Sequence, residues 1–211
     1  MRATPLAPED RRASLLAAAR EVFSAKGYHA ANVSDIIEVA GVARGTFYNH
    51  FESKREVFAA VLAALMAEIG GVVRPIDTGR DIAAQVHDNL HRITGAMAAQ
   101  GPAVRILFTE AQGIDADGEA ALSAFYAHAL LRVERALLDG QRLGVVRAGE
   151  VRQAARCLLG MLKEPVMLAR LLGEPLDAPA VADAIFGLLR SGVLTPVPVT
   201  GATRAPPPSA G

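Results

Sequence analysis

Side chains that can donate hydrogen bonds are concentrated between residues 44 and 54, on both sides of the aromatic residue Phe47. Guanidinium, hydroxyl, amide, imidazole and ammonium groups all occur in this short stretch. Groups of these kinds bind the phosphate oxygens and base edges of DNA, and a plain core helix has little reason to expose so many of them. The candidate DNA contacts are Arg44, Thr46, Tyr48, Asn49, His50 and Lys54.

The residues before this stretch predict a helix and a turn that would position it. Asn32 and Asp35 are spaced as a capping box, so a helix is expected to begin at Val33. Gly41 can end that helix in the left-handed conformation, which costs glycine nothing. A second helix, roughly residues 44–50, would then follow within a few residues. Two short helices joined by a tight turn predict a helix-turn-helix.

A third helix is expected to begin at Lys54, because Ser53 and Glu56 repeat the capping-box spacing. Its apolar positions continue to Ile69, before Gly70 and Gly71 interrupt the pattern. Lys54 would place a cation at the positive end of this helix, which is unfavourable unless an anion lies nearby. The helix is also the natural bridge to the rest of the chain.

The run AGVARGTFYNHFESKREVF, residues 40–58, resembles the DNA-binding signature of TetR-family transcriptional regulators, which are small bacterial repressors. The resemblance covers about residues 13–62. It implies phosphate contacts by Tyr48, His50 and Lys54, a backbone or base contact by Thr46, and base recognition by Arg44 and Asn49. One departure is Ala43, where the family often has a serine or threonine cap, whose loss typically costs ~1 kcal/mol.

Composition limits the function classes without selecting one. The chain has 22 basic and 22 acidic residues, so no overall basic charge points to nucleic acid, and DNA binding rests on where the cations lie. An apolar fraction of 51% predicts a substantial core. No apolar run approaches the ~18 residues of a membrane span, and no signal peptide is evident, so we expect a cytoplasmic protein without a membrane partner. Cys157 is predicted to be an inert, buried thiol.

The remainder of the chain keeps helical spacing, which predicts an all-α protein. Further helices are expected near residues 82–97, 102–112, 119–143, 151–172 and 181–189. We predict a DNA-binding domain at residues 1–53, a helical ligand-sensing and dimerisation domain at 54–194, and a disordered proline-rich tail at 195–211.

The last two helical segments are apolar on more than one side. A helix with two apolar faces needs two partners, so one face is expected to pack within the subunit and the other against a second copy. The predicted product is a homodimer joined by a four-helix bundle. The candidate interface residues are Leu158, Leu162, Leu168, Ile185 and Leu188.

A small-molecule pocket is expected among the middle helices. On spacing alone the apolar residues there are more often plain core, but the TetR resemblance implies a bound ligand, and their chemistry suggests a mostly apolar or aromatic effector. The candidate ligand contacts are Leu65, Met97, Phe108, Phe125 and Tyr126.

Metal binding and catalysis receive little support. His87 and His91 lie four residues apart and could share a metal with Asp88 or Glu110, but two imidazoles without a third spaced ligand are a weak signal. We expect no metal and no cofactor. The sequence lacks a nucleophile elbow, a phosphate-cradling glycine loop and a clustered carboxylate pair, so we expect no enzyme.

The sequence therefore predicts a homodimeric repressor that binds a palindromic operator and is released by an effector. The third helix would act as a lever between the two sites. Two other classes stay open: a helical interaction module without DNA binding, and a metal-binding helical enzyme built around His87, His91 and Glu110. The first predicts no sequence-selective DNA affinity, and the second predicts a stoichiometric metal.

Overall fold

The computed structural model describes residues 8–104, 106 and 116–193 and is all-α. Several sequence predictions concern residues outside these ranges, namely Phe108, Glu110, most of the helix expected near residues 102–112 and the tail at 195–211. No helix in the described ranges is both long enough and apolar enough to cross a lipid bilayer. The helices are α1 (Pro8–Ala30), α2 (Val33–Ala40), α3 (Arg44–Tyr48), α4 (Lys54–Gly71), α5 (Ile82–Ala99), α6 (Ala116–Arg142), α7 (Val151–Leu172) and α8 (Ala178–Gly192).

The helix-turn-helix begins and turns as the sequence predicts. The Asp35 carboxylate accepts a hydrogen bond from the backbone N–H of Asn32 at 2.9 Å, and α2 begins at Val33. Gly41 ends the helix at φ 63°, with its N–H directed to the Glu38 carbonyl. That left-handed backbone turns the chain sharply enough for α3 to begin at Arg44.

The recognition helix α3 is two residues shorter than expected. Ala43 precedes it without a side-chain cap. At the other end the N–H of His50 donates to the Phe47 carbonyl at 2.9 Å, an i to i+3 bond, so the last turn tightens. Asn49 and His50 therefore lie in the turn that follows α3 and not within the helix.

Helix α1 is broken at Gly27, which has φ 77° and ψ 168°. A cation followed by a glycine, here Lys26 and Gly27, is typical of a helix end, and the backbone breaks at this point. The break returns the chain so that Tyr28 packs against Phe23 and Phe58, with ring centroids 5.9 and 4.5 Å away. Phe58 also meets Phe23 edge-on at 5.2 Å. These three rings join α1 to α4.

One apolar core runs along α4 from the helix-turn-helix into the rest of the chain. The first half of α4 contributes Phe58 to the aromatic cluster, and its second half contributes Leu65, which is fully buried. Met97 of α5 and Leu122 of α6 belong to the same core. Helix α4 packs on both α1 and α6. The helix predicted to bridge two domains is thus part of one continuous core.

The carboxyl-terminal helices enclose a second, smaller core. Helix α5 packs extensively against α8, and α6 packs against α7. Leu90 of α5 lies with three buried residues of α8, which are Ala182, Ile185 and Leu189. Helix α8 begins at Ala178, where the Asp177 side chain accepts from the N–H of Ala180. Helix α7 has the bounds that the sequence predicts.

Two local expectations are wrong. Helix α6 begins at Ala116, three residues before the expected Glu119, because a single glycine at Gly118 does not stop a helix. Cys157 was expected to be buried, but it is exposed. The polar side of α7 passes through this position, where the adjacent Arg156 hydrogen-bonds Gln153 at the surface.

Candidate nucleic-acid interface

The recognition helix has one buried side and one exposed side. Phe47 is fully buried and contacts the rings of Tyr48 and Phe51, at centroid distances of 5.3 and 5.9 Å. These contacts fix the rotation of α3 about its own axis. Because Phe47 is fixed in the core, the opposite side of α3 must face outward.

Polar groups cover that exposed side. Tyr48 is 46% exposed, and the guanidinium carbon of Arg44 lies 5.8 Å from its ring centroid. Asn49 is exposed, whereas Thr46 and His50 are half-buried. The structure thus brings five of the six predicted DNA contacts together on α3 and the turn after it. Their contact with DNA itself stays a prediction.

Gly45 lies in the same helix and was not a predicted site residue. Among the described residues, a methyl group built on its Cα meets no atom within 4 Å apart from its neighbours in the chain and the backbone of its own helix, and its φ is not positive. Neither packing within the chain nor backbone conformation therefore requires glycine here. Glycine inside a helix costs roughly 0.5–1 kcal/mol relative to alanine. Gly45 stands out because it makes the helix less stable, although neither packing nor backbone conformation among the described residues requires a glycine there.

Lys54 makes contacts within the protein. Its ammonium donates to the carbonyls of Tyr28 and Ala31, at 2.9 and 3.2 Å, and lies 4.3 Å from the Tyr28 ring centroid. These carbonyls follow the break in α1 and supply the negative partial charge that a cation at the start of α4 needs. Lys54 therefore ties α4 to the corner between α1 and α2, and its predicted phosphate contact remains to be tested.

Ion pairs hold the same corner and the outer side of α4. Lys26 lies 2.9 Å from Asp35. The hydrogen bond from Lys26, followed by the one from the Asn32 backbone N–H, lowers the pKa of Asp35 below its ordinary value. Arg20 of α1 contacts both carboxylate oxygens of Glu68 in α4, at 3.0 and 3.1 Å.

Four of the five predicted ligand contacts lie within the described ranges, and all four belong to the main core. Leu65 and Met97 are buried within this core, and Phe125 and Tyr126 are half-buried and pack against it. The two rings of Phe125 and Tyr126 meet at 5.4 Å and almost at right angles. Burial raises the pKa of Tyr126 to about 12. The structure therefore brings together the apolar residues expected to meet an effector.

The predicted dimer contacts divide between two sides of α7 and α8. Leu168 and Leu188 are exposed, the latter by 60%, while Leu158 and Leu162 are half-buried. Ile185 is only 4% exposed and lies in the core of its own subunit, facing α5. A groove of about 440 Å³ between α7 and α8 is lined mainly by apolar side chains, among them Met161, Pro165, Val181, Ala184 and Leu188.

The histidine pair of α5 has a third neighbour that the sequence did not indicate. His87 and His91 both contact Asp183 of α8. Of the two carboxylates considered from the sequence, Asp88 faces Arg92 at 3.9 Å instead, and Glu110 lies outside the described ranges. No spacing rule could connect residues that lie so far apart in the chain.

Comparison with known proteins finds a family match for part of the chain. Residues 15–61, which include α2, α3 and the start of α4, match the model of the bacterial regulatory proteins of the tetR family. The helix-turn-helix segment of this chain is therefore similar to that of the tetR family. The match to the model is confined to the helix-turn-helix and the helices that support it.

Two curated transcriptional regulators match part of the chain. The transcriptional activator FasR of Mycolicibacterium smegmatis is 37% identical over 99 residues, which is 46% of this chain and 42% of FasR. The transcriptional repressor KstR2 of the same organism is 41% identical over 59 residues, which is 28% of this chain and 29% of KstR2. This chain therefore spans less than half the length of either relative.

Solved TetR-family structures share the whole fold. The regulator FadR of Bacillus subtilis, solved in complex with stearoyl-CoA, matches with a TM-score of 0.72 and 21% identity. The match covers 85% of this chain and 98% of FadR. At this identity the likeness concerns the fold, including the helices beyond the helix-turn-helix.

The contacts of Lys54 predict an effect on stability in the absence of DNA. Lys54→Met should lower the free energy of unfolding by about 1–3 kcal/mol, because two carbonyls lose a charged donor. Arg44→Met is the matched control, since it removes an exposed cation and should change stability by less than about 0.5 kcal/mol. Urea denaturation followed by circular dichroism measures both. A Lys54→Met protein that is as stable as the wild type would contradict this structural role of Lys54.

Proposed function

We propose that this chain is a transcriptional regulator that inserts α3 into the major groove of DNA. The observation that carries the proposal is the division of α3 into two sides. Phe47 is fully buried and anchors the helix, while Arg44 and Tyr48 project from the outer side. A recognition helix needs this combination, because base edges can be distinguished only by side chains held in a fixed orientation.

The roles of the individual contacts follow from their chemistry. Arg44 and Asn49 are exposed and have the planar donor groups that pair with guanine and adenine edges. Tyr48 and His50 are placed to hold phosphates, with Thr46 contacting the backbone or a base. The chain has no net charge, so we expect affinity to depend on these few positions more than on a general attraction to DNA.

Gly45 fits this arrangement as a point of close approach. Because a methyl group there would meet nothing in the protein, the space beside its Cα is open to a partner. We propose that a DNA backbone passes over Gly45, between the donors of Arg44 and Thr46. Glycine is often retained where another backbone comes this close.

We further propose that the regulator is a homodimer joined through α7 and α8. Both helices expose leucines, including Leu168, Leu171 and Leu188, and Leu188 also lines the apolar groove between them. A two-fold axis through this face would pair each groove with the same face of the second copy. The two recognition helices could then enter successive major grooves, about 34–36 Å apart, of a palindromic operator.

The proposed effector is a mostly apolar or aromatic molecule bound among α4, α5 and α6. Leu65 and Met97 supply the apolar lining, and the fold is shared with a regulator solved with stearoyl-CoA. Helix α4 would carry the signal, since Lys54 holds its first turn beside the helix-turn-helix and Leu65 lies in the ligand region. The relatives include an activator and a repressor. We propose repression, with the ligand releasing the operator.

Selection of bound fragments from a random DNA library tests the function directly. We expect enrichment of a palindrome with half-sites one helical turn apart, because a two-fold dimer presents two copies of α3. Arg44→Ala should relax the preference at one base pair of each half-site by ~1–3 kcal/mol. Failure of the wild-type protein to enrich any sequence would favour an interaction module without DNA binding.

Gly45→Ala should separate DNA affinity from stability. The added methyl group should raise the free energy of unfolding by up to about 1 kcal/mol, because alanine favours the helix. It should also weaken operator binding by obstructing the DNA backbone. The matched control is Gly95→Ala, an exposed glycine inside α5 with equally open surroundings. Fluorescence anisotropy on the selected operator should show unchanged affinity for the control, and an equally tight Gly45→Ala complex would contradict the close approach.

Leu188→Asp should dissociate the dimer. A carboxylate placed in an apolar seam is desolvated without a partner, and the two-fold axis repeats the cost. Val73→Asp is the control, because Val73 is also a partly exposed apolar residue but follows α4, away from α7 and α8. Analytical ultracentrifugation should give a monomer for the first variant and a dimer for the second. An intact, folded dimer of Leu188→Asp would place the interface elsewhere.

A further inference from the structure

Three potential metal ligands converge between α5 and α8. The Nε2 atoms of His87 and His91 lie 2.7 and 2.9 Å from the same oxygen, Oδ1 of Asp183. The two Nε2 atoms are 3.2 Å from each other. Three ligand atoms from two helices thus form a small triangle.

The three atoms are unusually close together. Both Nε2 atoms lie within hydrogen-bond distance of Oδ1 of Asp183, at 2.7 and 2.9 Å, and only 3.2 Å from each other. The carboxylate oxygen can accept from both imidazoles. The same spacing also lets all three atoms face a single bound ion.

A cation would use all three atoms at once, because each can direct a lone pair to one centre. We propose that His87, His91 and Asp183 bind a divalent first-row transition metal ion. Imidazole nitrogens favour zinc, nickel, copper or iron over magnesium and calcium, which prefer oxygen ligands. With bonds of about 2.0–2.2 Å, ligand atoms separated by the observed 2.7–3.2 Å subtend angles of roughly 80–105° at the ion. These angles are those of three ligands on one face of a coordination shell.

The ligands are held by rigid elements. His87 and His91 are one turn apart on α5, so they project from the same side. Asp183 and Phe186 likewise project from one side of α8, and the Phe186 ring centroid lies 4.7 Å from that of His87. The small core containing Leu90 and its partners on α8 lies beside the cluster and fixes the spacing of the two helices. The triangle is thus positioned by packing and does not depend on flexible loops.

The cluster is also accessible. The two imidazoles are each 35% exposed and Asp183 is 61% exposed, so an ion can enter and water can complete its coordination. The bound ion would crosslink α5 to α8. Helix α8 also carries Leu188 of the proposed dimer face, so the site would stiffen the element on which assembly depends.

Titration of the tag-free, chelator-treated full-length protein with Zn²⁺ tests the site without DNA or effector. Isothermal titration calorimetry should give one Zn²⁺ per subunit, and the thermal midpoint should rise because the ion binds only the folded chain. Mg²⁺ should cause neither effect. His91→Ala and Asp183→Asn should each weaken Zn²⁺ binding at least about 10-fold, because a ligand to the ion is lost.

His128→Ala provides the matched control. His128 is an exposed histidine of α6 whose Nδ1 contacts its own helix at the Ala124 carbonyl, at 2.8 Å. Its replacement should leave the affinity and stoichiometry unchanged. Circular dichroism verifies that each variant is folded, and Asp183→Asn retains the shape of the side chain. The absence of stoichiometric Zn²⁺ binding by the wild type, or equal affinity in folded His91→Ala, would overturn the proposal.

Discussion

The burial of α4 is the constraint on which the rest of the structure depends. Its first half is packed by the aromatic rings of α1, and in its second half Leu65 is buried in the same core as apolar residues of the later helices. The buried residues of one helix thus belong to a core shared by both ends of the described chain. The helix-turn-helix and the ligand region are therefore joined by shared side-chain packing as well as by the chain itself. This arrangement gives a physical route by which events near Leu65 could influence Lys54.

Local signals in the sequence were sufficient to predict most of the helix-turn-helix. Asp35 and Gly41 act within a few residues of their own position, through a cap and a left-handed turn, so their roles could be inferred without knowledge of the fold. The burial of Phe47 follows from the same local pattern. The helical bounds predicted for α7 rest on periodicity over many turns and agree with the structure for that reason.

Contacts between distant segments could not be inferred in this way. The carbonyls that receive Lys54 become available only because α1 breaks at Gly27 and returns the chain toward α4. Ile185 has the same apolar character as Leu188, and only the packing of α8 on α5 shows that one faces inward and the other outward. Nothing in the sequence around Asp183 indicates a ligand, because only the fold places it beside His87 and His91.

The far end of α4 also has a contact with another helix. Arg132 of α6 donates to the Gly70 carbonyl at 3.2 Å, and its guanidinium occupies the space where a side chain at Gly70 would lie. A residue with a side chain at position 70 would therefore fit only if the Arg132 guanidinium moved. The helix is about 27 Å long at 1.5 Å per residue, so a tilt of about 5° around this fixed end would displace its first turn by ~2 Å. Such a pivot converts a small angular change inside the protein into a linear shift at the DNA-facing surface.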